Sequence, residues 1–357
     1  MKIALLNLPV DNNYGGMLQR YALIKVLEDM GHEVKHLNLR MPYNSSPLGK
    51  RLLRDIKRIV KLLCGKYKGP ILPERSDKMK YLKSCKVTDQ FYEKYIRHTR
   101  QITDKSSLRK ASESADVLLI GSDQVWRKIY GGHYGIGTYF GDFLPLDSSI
   151  KRVAYGASFG VANDEYSESD KHRLRPYFQS FSAVSVREDS GLKLLADWGW
   201  DHPAAEQVLD PTLLLFAKDY SILIDKAKTE ALPGNMCCYI LDPTEEKISI
   251  IEGLVAKRHL TPFYLSIDGK VSVEQWLRSF RDAEYVVTDS YHGLVFSIIM
   301  KKPFYLFNNT ERGNARFDSL LNLLKIRNTE VSDWSRISVE LEKQRRLSLS
   351  YLKISIH

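Results

Sequence analysis

The stretch YVVTDSYHGLVFSIIMKKPFYLF (residues 285–307) predicts a strand, a polar loop, an apolar helix and a second strand. Residues 285–288 are rich in tyrosine, valine and threonine, which favour strands. Residues 294–300 are apolar throughout except for one serine, and residues 303–307 are again typical of a strand. A strand, a crossover helix and a parallel strand are the repeating unit of α/β folds. The stretch therefore predicts a parallel sheet with polar residues at the end of a strand.

The same alternation of strands and helices continues outward from this stretch and groups into two blocks. Such alternation is typical of parallel sheets with helices on both faces. We therefore predict an α/β protein with two Rossmann-like domains that face a cleft, and a strand at residues 182–186 opens the second block. The predicted units are an N-terminal domain over residues 1–178 with a basic insert at 45–110, a C-terminal domain over residues 179–335 and a C-terminal helix over residues 336–357.

The composition is that of a globular protein. The chain has 357 residues, enough for two domains, with 43% hydrophobic and 27% charged residues. The sequence has no apolar run long enough for a membrane-spanning helix, and its N-terminus does not have the pattern of a signal peptide. The four cysteines form neither a disulfide framework nor a zinc-binding pattern. We expect a reduced cytoplasmic protein with no structural metal.

Positive charge is concentrated in one segment. Lysine and arginine outnumber aspartate and glutamate by 53 to 43, which gives +10 overall. Residues 40–110 hold 20 basic and 6 acidic side chains, so they carry +14 and the remainder carries −4. This uneven charge argues against a nucleic-acid partner. Residues 50–63 form an amphipathic helix pattern that either makes a peripheral contact with the inner face of the plasma membrane or packs on its own domain.

Polar residues follow the predicted strand at 285–288, where chemistry occurs in open α/β sheets. Ser290 can cap the helix that follows, and the first N–H groups near Gly293 can bind an anion such as phosphate. His292 stands beside them and can give or take a proton near neutral pH. The alternative is a histidine that only hydrogen-bonds a neighbouring loop.

Three arginines are candidates for binding the same anion. Arg187 ends a predicted strand, and its guanidinium suits a carboxylate or a phosphate, although a pair with Glu188 or Asp189 is equally compatible with the spacing. Arg312 and Arg316 follow the strand at 303–307. They either reach the cleft or belong to a solvated loop and a helix start.

Polar loops of the N-terminal block are candidates for binding a sugar. The glycine-containing loop at residues 11–16 lacks a dinucleotide fingerprint, and it is compatible with sugar binding or with a tight turn. The loop at residues 121–126 offers an aromatic residue beside polar groups, which suits a carbohydrate, unless its polar residues cap a helix. The candidate residues in these loops and after the next strand are Asn13, Tyr14, Gly15, Gly16, Ser122, Asp123, Gln124, Trp126 and Ser158.

Several kinds of chemistry have no motif in this sequence. It contains no G-x-S-x-G elbow, no H-E-x-x-H motif, no paired carboxylates with metal spacing and no Cys–His nucleophile signature. The sequence therefore disfavours metal, covalent-serine and redox chemistry, and we expect neither a metal nor a cofactor.

Taken together and in this order, six motifs resemble the polysaccharide pyruvyl transferase family. The resemblance extends from residue 3 to about residue 325 and leaves out the basic insert. The motifs are DNNYGGMLQ (11–19), GSDQVW (121–126), YGASFG (155–160), SVRE (185–188), VLDPT (208–212) and VTDSYHG (287–293).

The resemblance implies a fold like that of two-domain glycosyltransferases of the B type. It also implies transfer of a pyruvyl group from phosphoenolpyruvate to a sugar as a ketal, in the synthesis of a bacterial capsule, exopolysaccharide or cell-wall glycan. His292 and Arg187 match the family's donor-site histidine and arginine, which makes them the expected catalytic residues. The C-terminal domain would then bind the donor, and the N-terminal domain would bind a glycan or lipid-linked sugar acceptor.

Two other functions remain open on the sequence. The first is a glycosyltransferase of the same architecture that uses a nucleotide sugar. The second is a non-catalytic protein that binds a glycan during its biosynthesis.

Overall fold

The computed structural model describes residues 1–40, 73–308, 314–327 and 334–357, and within these ranges it contains two parallel sheets. The first sheet has the strand order β2-β1-β3-β4-β5-β6. Its strands are β1 (Lys2–Leu6), β2 (Glu33–His36), β3 (Val117–Ile120), β4 (Lys151–Ala157), β5 (Phe181–Val186) and β6 (Ala205–Gln207). The second sheet has the order β10-β9-β7-β8. Its strands are β7 (Met236–Tyr239), β8 (Pro262–Leu265), β9 (Tyr285–Thr288) and β10 (Phe304–Leu306).

Helices connect the strands and cover both sheets. Short 3₁₀ helices span Lys128–Gly131, Ile136–Phe140 and Pro211–Leu214. The α-helices of the described ranges are α1 (Tyr14–Asp29), α2 (Pro73–Tyr95), α3 (Lys105–Ser112), α4 (Glu168–Gln179), α5 (Asp189–Asp197), α6 (Ala217–Ala227), α7 (Glu245–Arg258), α8 (Val273–Asp282), α9 (Tyr291–Ile299), α10 (Ala315–Leu323) and α11 (Trp334–Ile356).

The assignment of β5 to the second block is wrong. β5 pairs with β4 in parallel, Ala154 beside Val184, and β6 in turn pairs with β5. The first sheet therefore continues to Gln207, well beyond the boundary predicted after residue 178. Alternation along the chain identifies strands and helices, but it does not say which sheet the next strand joins, because every crossover has the same pattern.

One apolar core extends from the first sheet into the second. Met17 and Leu18 of α1 belong to the same buried cluster as Trp276 of α8 and Phe296 of α9. Tyr14 stacks on Trp276 with ring centroids 6.0 Å apart. The start of α1 is therefore packed between the sheets and fixes the walls of the cleft to each other.

The described part of the basic insert packs beside the first sheet. Two isolated parallel β-bridges, His36 with His98 and Leu39 with Ile102, connect the end of β2 and the residues after it to the chain that follows α2. Phe91 of α2 packs on Tyr21 of α1. The amphipathic segment predicted at residues 50–63 lies outside the described residues.

The C-terminal helix α11 packs on the first sheet. The Tyr351 hydroxyl donates a hydrogen bond to the Ala154 carbonyl (3.0 Å), and Ser348 Oγ accepts one from the Leu209 N–H (2.9 Å). The chain thus returns from the second sheet to the first. Among the described helices, none combines the length and the apolar character that crossing a bilayer requires.

Candidate active site

A cavity of about 360 Å³ opens between the carboxyl edges of the two sheets. Loops that follow β1 and β3 line it from the first sheet, and loops that follow β7, β8 and β9 line it from the second. Its wall includes the polar residues Asp11, Asn12, Asn13, Asp123, Gln124, Asp289, Ser290, Tyr291, His292 and Arg316. Such an edge is where open α/β sheets bind ligands, so this cavity is the candidate active site.

The N-terminus of α9 forms one wall of the cavity. Ser290 is its N-cap, and its Oγ accepts a hydrogen bond from the Gly293 N–H (3.4 Å). A Cβ at position 293 would lie 2.1 Å from Thr288 Oγ1, so glycine is needed there. The helix begins at Tyr291, earlier than the apolar run alone indicates, so His292 stands in its first turn. The first N–H groups of a helix lack partners within it, which makes this wall suited to an anion.

Asp289 anchors the loop that leads into α9. Its Oδ1 accepts a hydrogen bond from the Leu241 N–H (2.7 Å), and its Oδ2 accepts one from the Asp242 N–H (3.1 Å). The Lys247 ammonium donates to the same Oδ2 at 2.7 Å. Because these partners all follow β7, the carboxylate joins the ends of β7 and β9 and holds the helix start in place.

His292 packs directly against the first turn of α1. Asn13 caps α1, with its Oδ1 accepting a hydrogen bond from the Gly16 N–H (3.1 Å). A Cβ at position 15 would lie 2.0 Å from His292 Nδ1 and 2.2 Å from its Cγ. Gly15 therefore provides the space that the imidazole occupies.

A buried carboxylate, Asp210, joins both candidate catalytic residues. Its Oδ2 accepts hydrogen bonds from Arg187 Nη1 (2.6 Å) and Gln19 Nε2 (2.5 Å), and it lies 3.8 Å from His292 Nε2. Its Oδ1 accepts hydrogen bonds from the Thr212 N–H (3.0 Å) and Oγ1 (2.6 Å). The imidazole of His292 and the guanidinium of Arg187 therefore belong to one cluster.

Burial and charge set the protonation states of this cluster. Burial alone would raise the pKa of Asp210, but the Arg187 charge, His292 and the Thr212 hydrogen bonds lower it below its usual value. Burial lowers the pKa of His292, and the nearby carboxylates of Asp210 and Asp123 offset this only in part. Burial opposes the charge on Arg187, yet its acidic neighbours raise its pKa. Without a ligand, Asp210 and Arg187 are therefore charged and His292 is neutral at pH 7.

Tyr291 lies between two arginines. Arg187 Cζ is 4.6 Å from the centroid of its ring, and Arg316 Cζ is 5.4 Å from it, which are cation–π distances. Arg316 lines the cavity, whereas Arg187 does not. Among the described residues, Arg316 therefore supplies the guanidinium on the cavity wall.

The expectation that Arg187 itself binds a donor carboxylate or phosphate requires correction. Its Nη1 is bonded to Asp210, and its Nη2 lies 3.4 Å from Asp123 Oδ1. Its side chain is only 2% exposed. The guanidinium of Arg187 is therefore already paired with carboxylates of the protein. The pair with Glu188 is the weakest of these contacts, at 3.9 Å from Nε to Oε2.

The expectation of a sugar platform at Trp126 is also wrong. Trp126 is fully buried, stacks on Phe140 with centroids 5.2 Å apart, and donates its indole N–H to the Tyr139 carbonyl (2.9 Å). The sequence shows an aromatic residue after a strand, but it does not show on which side of the loop the ring packs.

Other candidates in the N-terminal loops have structural hydrogen bonds outside the cavity wall. Ser122 Oγ donates to the Gly156 carbonyl (2.9 Å), and Ser158 Oγ accepts from the Gly160 N–H (3.0 Å). The Tyr14 hydroxyl donates to the Val271 carbonyl (2.8 Å). Gly16 and Gly293 also do not line the cavity.

Seven of the predicted site residues do line the cavity. Arg312 lies outside the described residues. The residues on the wall are Asn13, Gly15, Asp123, Gln124, Ser290, His292 and Arg316.

Sequence reasoning gave no role to Asp210, Gln19 or Tyr130. Asp210 stands in the Asp-Pro-Thr motif beyond β6, so the rule that polar residues at strand ends carry chemistry could have identified it. Gln19 follows Gly15 by one helical turn and therefore shares its buried face. Tyr130 lines the cavity and is 38% exposed, and no sequence signal separates it from an ordinary surface tyrosine.

The fold is similar to solved structures of sugar-nucleotide enzymes. A putative UDP-N-acetylglucosamine 2-epimerase from Listeria monocytogenes matches with a TM-score of 0.51 and 10% identity, over 99% of this chain and 89% of that one. A UDP-GlcNAc 2-epimerase from Neisseria meningitidis bound to UDP-GlcNAc matches with a TM-score of 0.51 and 10% identity, over 99% and 94% of the two chains. At this identity the similarity concerns the fold alone, and it confirms the predicted two-sheet fold of the B-type glycosyltransferase class.

The sequence comparisons agree with the motif pattern. The family model for polysaccharide pyruvyl transferase matches residues 13–311. No curated protein matches the sequence. The matched range contains the cavity loops of both sheets except for the beginning of the first loop and the start of α10.

Proposed function

The chain belongs to the polysaccharide pyruvyl transferase family, and on this premise we propose that it transfers a pyruvyl group from phosphoenolpyruvate to two hydroxyls of a glycan sugar as a ketal. The observation that carries the proposal is the wall formed by α9. There the start of the helix, His292 and Arg316 adjoin one cavity. The glycan would belong to a bacterial polysaccharide or to its lipid-linked precursor.

The proposed donor site matches the charges of phosphoenolpyruvate. This molecule carries a phosphate and a carboxylate, and a helix N-terminus together with an arginine is a suitable set of partners for two anionic groups. We assign the phosphate to the N–H groups at the start of α9, capped by Ser290, and the carboxylate to Arg316. Arg187 does not line the cavity, so we assign it a structural role: it holds Tyr291 by a cation–π contact and Asp210 by a hydrogen bond.

The reaction needs one proton donor and no electron transfer. In the proposed sequence, His292 protonates the methylene carbon of phosphoenolpyruvate, so that the alkene electron pair forms the new C–H bond and C2 becomes electrophilic. One sugar hydroxyl adds to C2 and loses its proton, the C2–O bond to phosphate breaks, and the second hydroxyl closes the ketal with loss of its proton. One of the two released protons replaces that given by His292, and phosphate carries the other away.

We assign the acceptor to the opposite wall of the cavity. Asn13, Asp123 and Gln124 offer amide and carboxylate groups that can hydrogen-bond sugar hydroxyls, and Tyr130 offers an exposed ring beside them. Asp123 adopts a φ of +76°, which residues with a side chain rarely adopt. Such strain is often found where a side chain is aimed for function, which supports a role for this carboxylate.

Phosphate release from phosphoenolpyruvate in the presence of a panel of sugar acceptors tests the proposal. His292→Ala should lose at least about 100-fold in kcat, because a general acid contributes about 10²–10⁴-fold. The thermal unfolding curve of the variant serves as the control for folding. Wild-type turnover in this variant would remove His292 from the mechanism.

A thermal-shift comparison separates this function from its alternatives. Only the true donor stabilises the protein by mass action, so phosphoenolpyruvate should raise the melting temperature while nucleotide sugars leave it unchanged. The opposite pattern would indicate a glycosyltransferase. Glycan binding without phosphate release from any donor would indicate a non-catalytic protein.

We also propose a cytoplasmic location with peripheral contact to the inner face of the membrane. The described cysteines, Cys85, Cys237 and Cys238, are buried free thiols, which supports a reducing compartment. Deletion of residues 50–66 should abolish binding to anionic liposomes. Unchanged partitioning would exclude docking through this segment.

A further inference from the structure

Asp210 lies at the centre of the buried cluster that contains Arg187 and His292. Its side chain is fully buried, and it is bonded to Gln19 of α1, to Arg187 at the end of β5 and to Thr212 in its own turn. His292, which comes from the second sheet, approaches the same oxygen. The carboxylate thus meets groups from both sheets at one point.

We infer that Asp210 is a positioning residue that orients the His292 imidazole through Nε2 and stabilises its protonated form. The inference rests on the proposed role of His292 as proton donor. Asp210 does not line the cavity, so it acts through His292 and does not touch the substrate.

The geometry of His292 supports this role. Its Nε2 is buried and has no hydrogen-bond partner among the described residues, and the Oδ2 of Asp210 lies 3.8 Å away. A movement of less than about 1 Å would bring this pair to hydrogen-bond distance. Catalytic hydrogen bonds are often long before the substrate binds and shorten in the complex. With Nε2 held by Asp210, the nitrogen left to give the proton is Nδ1, which lies next to Gly15 on the cavity wall.

The charges around His292 explain why a carboxylate is needed there. A buried neutral imidazole is a poor proton donor, and burial lowers the pKa of His292. Among the described residues, the charged groups that face it are Asp210 and Asp123, which favour the protonated form, and Arg187 and Arg316, which oppose it. The ring of Tyr291, its neighbour in α9, adjoins both arginines. Among the described carboxylates, Asp210 is the one within 4 Å of the imidazole, and it makes the largest contribution in favour of the protonated form.

The decisive experiment is an NMR titration of His292 in the full-length protein with labelled histidine. Asp210→Asn should lower the pKa of His292 by about 1–3 units, because an opposite charge at this distance shifts a pKa by about that amount. The control variants Gln19→Met and Thr212→Val each remove a hydrogen bond to the same side chain but keep its charge. They should not lower the pKa of His292.

A second variant keeps Asp210 in place and changes the charge beside it. Arg187→Met removes a cation that both neutralises Asp210 and itself opposes the charge on His292, so the pKa of His292 should rise. An unchanged pKa of His292 in Asp210→Asn would overturn the inference, and so would an unchanged or lowered pKa in Arg187→Met.

Turnover provides a second readout that a purely structural role would not move. The alkaline limb of the kcat/KM profile for phosphoenolpyruvate should shift to lower pH in Asp210→Asn by the same amount as the His292 pKa. Gln19→Met and Thr212→Val should retain the position of this limb. If the titration shifts as expected but the wild type releases no phosphate from phosphoenolpyruvate, the proposed function fails while the coupling of Asp210 and His292 stands.

Discussion

Replacing Gly15 with alanine tests whether the site depends on contact between α1 and His292. In the structure, the added Cβ would lie 2.0 Å from His292 Nδ1, 2.2 Å from Cγ and 2.6 Å from Cε1. Ordinary contacts of a Cβ are 3.4 Å or longer, so the ring or the start of α1 must move by about 1.4 Å. The clashing atoms belong to the rigid imidazole ring and include Cγ, so a small movement at the end of a flexible side chain would not relieve the clash.

The magnitude follows from this displacement. A misplacement of about 1 Å can cost about 100-fold in rate, so Gly15→Ala should lower kcat for phosphate release by about 100-fold. Overpacking costs about 1–3 kcal/mol of stability. The better helix propensity of alanine returns about 0.5–1 kcal/mol of it. The free energy of unfolding should therefore fall by no more than about 2.5 kcal/mol, and the variant stays folded.

The control is the same substitution in another helix. Gly253 lies in α7, and a Cβ there would meet no atom of the described residues within 4 Å. Gly253→Ala should therefore raise the free energy of unfolding by about 0.5–1 kcal/mol and leave kcat unchanged. Both variants are measured by phosphate release and by urea unfolding. If Gly15→Ala turns over phosphoenolpyruvate at the wild-type rate, the packing argument for His292 is refuted.

Three further perturbations address the acceptor wall, the proton and the α9 loop. Tyr130→Ala should raise the acceptor KM about 2- to 10-fold and leave the stability unchanged. Trp126→Phe should lower the melting temperature and leave the acceptor KM unchanged. The reverse pattern would indicate that Trp126, and not Tyr130, contacts the sugar. Binding of phosphoenolpyruvate above pH 7 should be coupled to uptake of a proton, and its affinity should increase as the pH falls. The reason is that burial lowers the pKa of His292 in the free protein, whereas a bound anion raises it. Calorimetry in buffers of different ionisation enthalpy should show this proton uptake in the wild type but not in His292→Gln. Lys247→Met removes the ammonium that pairs with the buried Asp289 carboxylate before α9, so it should lower the free energy of unfolding in urea by about 1–3 kcal/mol. The control Lys270→Met changes an exposed lysine and should lower it by less than about 0.5 kcal/mol. Equal losses in the two lysine variants would contradict the anchoring role.

Much of the secondary structure was readable because its signals are local. The strand at 285–288 has the predicted bounds, since a run of β-branched residues acts within a few positions. The membership of β5 was not readable in this way. Hydrogen bonding to β4 depends on how the chain returns after α4, and this information is not contained in the strand itself.

The candidate site shows the same division between local and long-range information. Ser290 and His292 lie after β9 and line the cavity, and this position is readable because a polar run between a strand and an apolar helix is a local pattern. Asp210 and Gln19 meet only through folding, since 191 positions separate them along the chain. The burial of Trp126 likewise depends on packing against Phe140, which no pattern within its loop specifies.

The position of His292 shows why both sheets are needed for one reaction. The residue belongs to the second sheet by chain connectivity. The groups that pack against its ring or shift its pKa, namely Gly15, Asp210 and Arg187, belong to the first. Relative motion of two domains is expected where their interface is small and polar. Here the buried apolar core is continuous across the sheets, so opening the cleft would expose it to water. The imidazole is therefore held in place before any substrate arrives, and the binding energy of the donor remains available for protonation and for release of phosphate.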